Sequence, residues 1–147
     1  MRQLRRIRIK APPDKVWELI ADDSKLPQWM PHIVATRYPR GKPKGNPVGA
    51  RFVQDMRQGD SLSSYEGEIT EYQRGSLFGV LLQPEAFAIH VVYHVTGDED
   101  WTLLEYGADI RPRTARGWLM VWWGRRALGT ILDQQLARLR LVAEASS

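Results

Sequence analysis

Two histidines four residues apart, His90 and His94, stand near Glu105 and Asp109. Imidazoles and carboxylates together hold metal ions and move protons, so these residues are the first to test for chemistry. Their spacing decides against it. The segment 86–96 alternates apolar and polar residues as a strand does, and residues four apart on a strand are ~13 Å apart, too far to ligate one ion. Glu66 and Glu68 form an acid/base pair by type. Strand parity turns them to an outward face that also carries Arg51, Asp55 and Arg57, which makes a surface lattice of ion pairs. The chain has no cysteine, which removes disulfides, thiolate metal sites and thiol nucleophiles. It has no glycine-rich phosphate loop and no Gly-x-Ser-x-Gly turn, so neither metal nor cofactor is expected.

What remains is a polar minority on an apolar wall. The spacing predicts strands over 50–57, 61–72, 76–83, 86–96 and 101–110, separated by turn signals at Gly59-Asp60, Arg74-Gly75, Pro84-Glu85 and Gly97-Asp98. Connections this short imply antiparallel pairing. Parity then assigns the inward face. It takes Phe52, Gln54 and Met56 from the first of these strands, and Ser63, Tyr65, Gly67 and Ile69 from the second. Phe87, Ile89, Val91, Tyr93 and Val95 follow from the fourth, and Leu104, Tyr106, Ala108 and Ile110 from the fifth. By this sorting no histidine or carboxylate faces inward. Phe52, Gln54, Met56, Tyr65, Tyr93 and Tyr106 are the candidate ligand-binding residues, because a few polar groups converging in an apolar hollow are what a small-molecule pocket requires.

The segment 115–144 is helical in pattern, with Gly117, Gly124 and Gly129 as weak points. At 100° per residue one face carries Trp118, Val121, Leu128, Leu132, Leu136, Leu139 and Ala143, with Arg125 near its middle. A guanidinium there needs an anionic or hydroxyl partner, since an unpaired buried charge is very costly. Trp118 and Arg125 therefore join the candidate ligand-binding set, Arg125 facing an oxygen of the ligand or an inward tyrosine. The alternative is a break at Gly124 that shifts the helical phase and lets Arg125 reach solvent. Leu119, Met120, Trp122 and Trp123 lie off the core face beside Arg126, which suits a homodimer contact, a lid or a membrane-surface contact. Trp123 packing beneath the long loop after Arg37 is a further possibility.

The first third of the chain holds the most specific pattern. Ile7 and Ile9 alternate with Arg6, Arg8 and Lys10 in a strand over 3–10; Pro12-Pro13 then opens a helix with Val16, Trp17 and Ile20 on its apolar face. Leu26–Met30 makes a second short turn, in which Trp29 belongs to the core or its rim. A strand over 32–38 runs into RYPRGKPKGNPVG, whose prolines and glycines allow no regular element. The stretch IKAPPDKVWELIADDSKLPQWMP resembles the opening of a helix-grip domain of the START-like (SRPBCC) superfamily, in its bacterial polyketide cyclase/dehydrase-like branch. Ile69-Thr70-Glu71-Tyr72 is similar to the mid-sheet motif of that family, and Leu136–Glu144 to its last helix.

The resemblance implies an α+β fold. A curved antiparallel sheet of about seven strands wraps a long C-terminal helix, with two short helices after the first strand, in one domain over 1–147. It also implies a cavity between sheet and helix that holds a hydrophobic or aromatic small molecule (a lipid, quinone or polyketide-like compound), with the protein as carrier or sensor. An enzyme of the cyclase/dehydratase type is the alternative, needing no metal. A module contacting a ribosome or a quinone-synthesis complex through the basic first strand and the 37–44 loop is a third.

Composition fits these expectations. The 147 residues are 43% hydrophobic and 26% charged, with a formal net charge of +4, as in ordinary globular proteins. Arginines and lysines cluster at 2–10, 37–44 and 111–116, but no cluster is contiguous, and nucleic acid is not an expected partner. No apolar run follows the charged N-terminus and none is long enough to span a bilayer, so a cytoplasmic location is expected.

Overall fold

The computed structural model describes residues 1–145, apart from the side chain of Gln58. Strand β1 (Arg2–Ile9) has the alternation its sequence dictates, with Arg2, Leu4, Arg6 and Arg8 exposed and Ile9 buried. Pro13 starts α1 (Pro13–Ala21), where its missing N–H costs nothing, and Val16, Leu19 and Ile20 supply the buried face. A 3-10 turn follows over Asp23–Gln28, with the Asp22 carboxylate accepting from the Ser24 amide at 3.0 Å. Trp29 is 1% exposed, and its indole Nε1–H donates to the Leu19 carbonyl at 2.8 Å, which fastens this turn to the end of α1.

The remaining strands are β2 (Ile33–Arg37), β3 (Arg51–Gln58), β4 (Ser61–Gln73), β5 (Leu77–Gln83), β6 (Phe87–Gly97) and β7 (Thr102–Pro112). They form one antiparallel sheet in the order β1-β7-β6-β5-β4-β3-β2. Six consecutive strands thus meander, and β1 closes on β7. Register shifts between Ile33 and Ala35 and between Ile69 and Glu71 are bulges of the kind that bend a sheet. Gly41, Gly45 and Gly49 take positive φ in the loop before β3, a conformation that side chains with a Cβ rarely adopt.

The last segment is not one helix. It divides into α2 (Ala115–Trp123) and α3 (Arg125–Ala145) at Gly124, whose φ of −95° and ψ of 10° leave the helical region. Helix α3 lies across the concave face of the sheet, with Leu136, Leu139 and Ala143 buried in the core beside Ile9, Val16, Ile69 and Leu104. Arg5 of β1 pairs with Asp133 of α3 and so ties the helix to the sheet edge. Helix α2 sits on the β5–β6 turn. A Cβ at Gly117 would lie 1.9 Å from the Ala86 carbonyl oxygen, so only glycine permits this approach. The Arg113 amide also donates to Ala86 O at 2.8 Å. This is the helix-grip arrangement expected from the sequence, with seven strands and a long C-terminal helix. Among the described residues no helix is long and apolar enough to cross a membrane.

Candidate functional site

Between the concave face of the sheet and α3 is a cavity of about 310 Å³, at the lower end of the range for small-molecule sites. Its wall is mostly apolar: Phe78, Val80, Leu82, Phe87, Ile89, Val91, Ala108 and Ile110 from the sheet, and Leu128, Ile131 and Leu132 from α3. Phe52, Gln54, Met56, Tyr65, Tyr93 and Tyr106 line it too, so strand parity places all six on the cavity side. Phe52 lies over Gly67 of β4, where an added Cβ would come within 2.4 Å of the ring. Tyr93 and Tyr106 meet edge to face at 5.2 Å between centroids, and Trp29 packs at right angles on Tyr93 at 6.3 Å.

Trp118 and Arg125 are placed differently from the sequence expectation. Neither lines the cavity; Trp118 is 56% exposed and Arg125 is exposed. In α2 the buried side is given by Gly117 and Val121, and Trp118 stands 100° round from Gly117. Arg125 follows the departure at Gly124 and is the exposed first residue of α3, while Leu136, Leu139 and Ala143 beyond it are buried on the side expected of them. The cavity wall begins one turn later, with Leu128. Trp123 is 77% exposed, so it packs beneath no loop.

His32 and Asp23 line the cavity although parity gives no inward histidine or carboxylate. Both belong to turns, where a two-residue period does not apply. Asp23 accepts from the Tyr38 hydroxyl at 3.2 Å and pairs with Lys42 at 3.1 Å. Burial pushes the His32 imidazole below its ordinary value, and the charge of Arg138 adds to this. Burial raises the hydroxyls of Tyr93, Tyr106 and Tyr38, the last helped by Asp23. Burial thus favours the uncharged imidazole of His32 and the protonated phenols of Tyr38, Tyr93 and Tyr106, beside the Asp23–Lys42 pair. Gln54 is 7% exposed, and its buried Oε1 has no hydrogen-bond partner.

The His32 shift carries a pH dependence. On acidification the unfolded chain takes up its proton first, near pH 6.5. The stability contribution is therefore complete above that value and is lost as the pH falls through the lower folded value. Urea unfolding at pH 7.5 and pH 5.0 should show a larger loss in the wild type than in His32→Gln. Equal losses would rule His32 out as the source.

The outward candidates form surface pairs. The His90 ring Nε2 lies 3.1 Å from Thr70 Oγ1 and 3.2 Å from Glu71 Oε1; Arg51 meets Glu68 at 3.6 Å, and Arg37 meets Asp55 at 2.9 Å. Among the described residues no three His, Cys, Asp or Glu side chains converge on a common point.

No curated protein sequence matches this chain. Solved structures do. The START superfamily protein from Mycobacterium smegmatis shares 16% identity at a TM-score of 0.78, over 99% of both chains. TTHA0849 from Thermus thermophilus shares 13% identity at 0.74, over 100% of this chain and 99% of that one. The di-domain ARO/CYC BexL from the BE-7585A biosynthetic pathway shares 16% identity at 0.74, over 95% of this chain, which spans only 45% of BexL. At such identities the likeness is one of fold. The family described as polyketide cyclase / dehydrase and lipid transport matches residues 4–144. With that match across nearly its whole length, and with a START-like fold around the cavity, the chain belongs to this polyketide cyclase/dehydrase and lipid-transport family.

Proposed function

We propose that the protein binds one compact, uncharged hydrophobic or aromatic molecule (a lipid, quinone or polyketide-like compound) in the cavity between sheet and α3, as its carrier or sensor. The observation that carries this reading is Gln54 Oε1, a buried acceptor without a partner on the wall of an apolar cavity. Leaving such an acceptor unsatisfied costs about 1–3 kcal/mol. A ligand hydroxyl donating to it removes that cost while its apolar body gains roughly 25 cal/mol per Å² buried. The uncharged imidazole and phenols favour a neutral ligand over an anion. Trp122 and Trp123 serve in the same reading as a contact to a second copy or to a membrane surface, and the location is cytoplasmic.

Native mass spectrometry of gently purified protein, followed by solvent extraction, tests this. A stoichiometric hydroxyl-bearing apolar passenger is the expected result. An empty chain that also fails to bind the neutral probe N-phenyl-1-naphthylamine would overturn it. A second reading, cyclase/dehydratase-type catalysis, gains one specific observation in His32. Its uncharged imidazole on the cavity wall is suited to take a proton from a carbon next to a ketone, and a tyrosine hydroxyl there is suited to stabilise the resulting enolate. Turnover of a poly-ketone that His32→Gln abolishes would favour it over simple carriage.

A further inference from the structure

Helix α2 has its polarity reversed. An ordinary surface helix buries its apolar stripe and shows charged residues to water. Here the buried side is Gly117 and Val121, while Trp118, Leu119, Met120, Trp122 and Trp123 are 56%, 51%, 48%, 53% and 77% exposed. The indoles are already assembled. Trp118 and Trp122 stack at 6.4 Å with planes 3° apart, and Trp123 meets Trp122 edge to face at 5.3 Å. Along the sequence from Ile110 to Leu132 the charge has one sign, with Arg111, Arg113, Arg116, Arg125 and Arg126 and no aspartate or glutamate. Arg111 pairs with Asp109 and Glu85 stands in the β5–β6 turn, so the arginines that carry the argument are Arg116, Arg125 and Arg126. Arg116 lies in the first turn of α2, and Arg125 and Arg126 open α3 just after Gly124; all three are exposed.

We propose that α2 is the element by which this protein docks on an anionic lipid bilayer. Indole rings prefer the headgroup boundary, leucine and methionine beside them enter the upper acyl region, and guanidiniums at that depth meet lipid phosphates. A two-fold contact between copies would set the same arginines against one another, which makes a second copy the poorer occupant. Nucleic acid would use the arginines and leave Leu119, Met120 and Trp123 in water.

The position of the patch gives the docking a purpose. Gly117 seats α2 on the β5–β6 turn, whose Pro84 lines the cavity together with Phe87 at the start of β6, and α2 leads into the stretch of α3 that lines it with Leu128 and Ile131. Ile131 is 49% exposed, so the cavity reaches the surface there. Docking through α2 brings that rim to the bilayer, and a hydrophobic ligand passes between membrane and cavity without crossing bulk water. This passage rests on the binding reading; the docking itself does not.

The full-length chain is sedimented with vesicles of phosphatidylcholine containing one quarter phosphatidylglycerol, and with phosphatidylcholine vesicles alone. At least tenfold stronger binding to the anionic vesicles is expected, weakening with salt, with α2 indole fluorescence quenched by brominated acyl chains. Trp122→Ala/Trp123→Ala and Arg125→Glu/Arg126→Glu should each lose at least tenfold in vesicle binding, at unchanged Tm and unchanged binding of N-phenyl-1-naphthylamine. Wild-type binding no stronger than that of either variant, or indifferent to lipid charge, overturns the proposal. So does a dimer that dissociates in Trp122→Ala/Trp123→Ala while neither vesicle is bound, which would assign the patch to a second copy. Because the probe reads the cavity and the vesicles read α2, failure of one reading is distinguishable from failure of the other.

Discussion

Trp29→Ala is expected to lower stability by about 3–5 kcal/mol, the range for truncating a buried aromatic side chain, and to lower Tm by on the order of 10 °C. Two separable contributions underlie this. The bulk of the ring fills the space between the end of α1 and Tyr93, and its removal leaves a hole that the sheet cannot close. The Nε1–H also satisfies the Leu19 carbonyl, one of the acceptors that the last turn of α1 leaves without an intrahelical partner. Trp29→Phe keeps most of the bulk and removes the donor, so it should cost about 1–3 kcal/mol. Urea unfolding of the wild type and both variants measures the split. If Trp29→Ala costs less than 1 kcal/mol, the residue is not the joint described above; if the two variants are equal, the indole hydrogen bond alone matters.

The second large effect is on binding. Ala108, 1% exposed at the middle of β7, lines the cavity opposite α3, and its partner in register is Val91 of β6. In Ala108→Phe the ring has to enter the cavity, and in so small a volume it should weaken N-phenyl-1-naphthylamine binding at least tenfold. The overpacking costs stability by about 1–3 kcal/mol, so Val80→Phe, entering from β5, is the companion that guards against a merely unfolded variant. Loss of probe binding in a variant whose unfolding remains cooperative supports a cavity site. Full binding in both filled variants would move the site elsewhere.

The strands and their faces were legible because a period of two gives every side chain an address once one neighbour is known to be buried. Tyr93, Tyr106 and Gln54 face the cavity for that reason. The bulge after Ile69 did not disturb the assignment, since it falls beyond Gly67 and Tyr65. Trp118 and Arg125 were misplaced because a helical wheel gives a broad face and neither its margin nor the helix ends. Val121, Leu136, Leu139 and Ala143 keep their face, but Trp118 lies at the margin of the buried side of α2 and Arg125 is the exposed first residue of α3, after Gly124. Glycine at that position signals a weak point; its φ and ψ, which decide the outcome, depend on how α2 seats on the β5–β6 turn. His32 and Asp23 escaped for another reason. They lie in turns, and what aims them at the cavity is tertiary: Trp29 pinning the 3-10 turn to α1, and Lys42 and Tyr38 reaching back to Asp23. The pairs of β1 with α3, such as Arg5 with Asp133, likewise join residues that no local pattern relates.

The sheet order has a consequence for how the chain folds. Strands β2 to β6 each pair with the next strand along the chain, and all of these contacts except β2 with β3, which the long loop over 38–50 joins, close over short connections and form early. β1 pairs Arg2 with Asp109 and Ile9 with Thr102, so the first strand made waits for about a hundred residues before its partner exists. Until then the inward side of β7, with Leu104, Tyr106 and Ala108, belongs to an unpaired edge. The arginines that alternate along β1 keep that waiting strand soluble and ill-suited to pairing with another copy of itself. In a refolding experiment the meander would form first, and closure of β1 onto β7 would be the slow step that completes the grip.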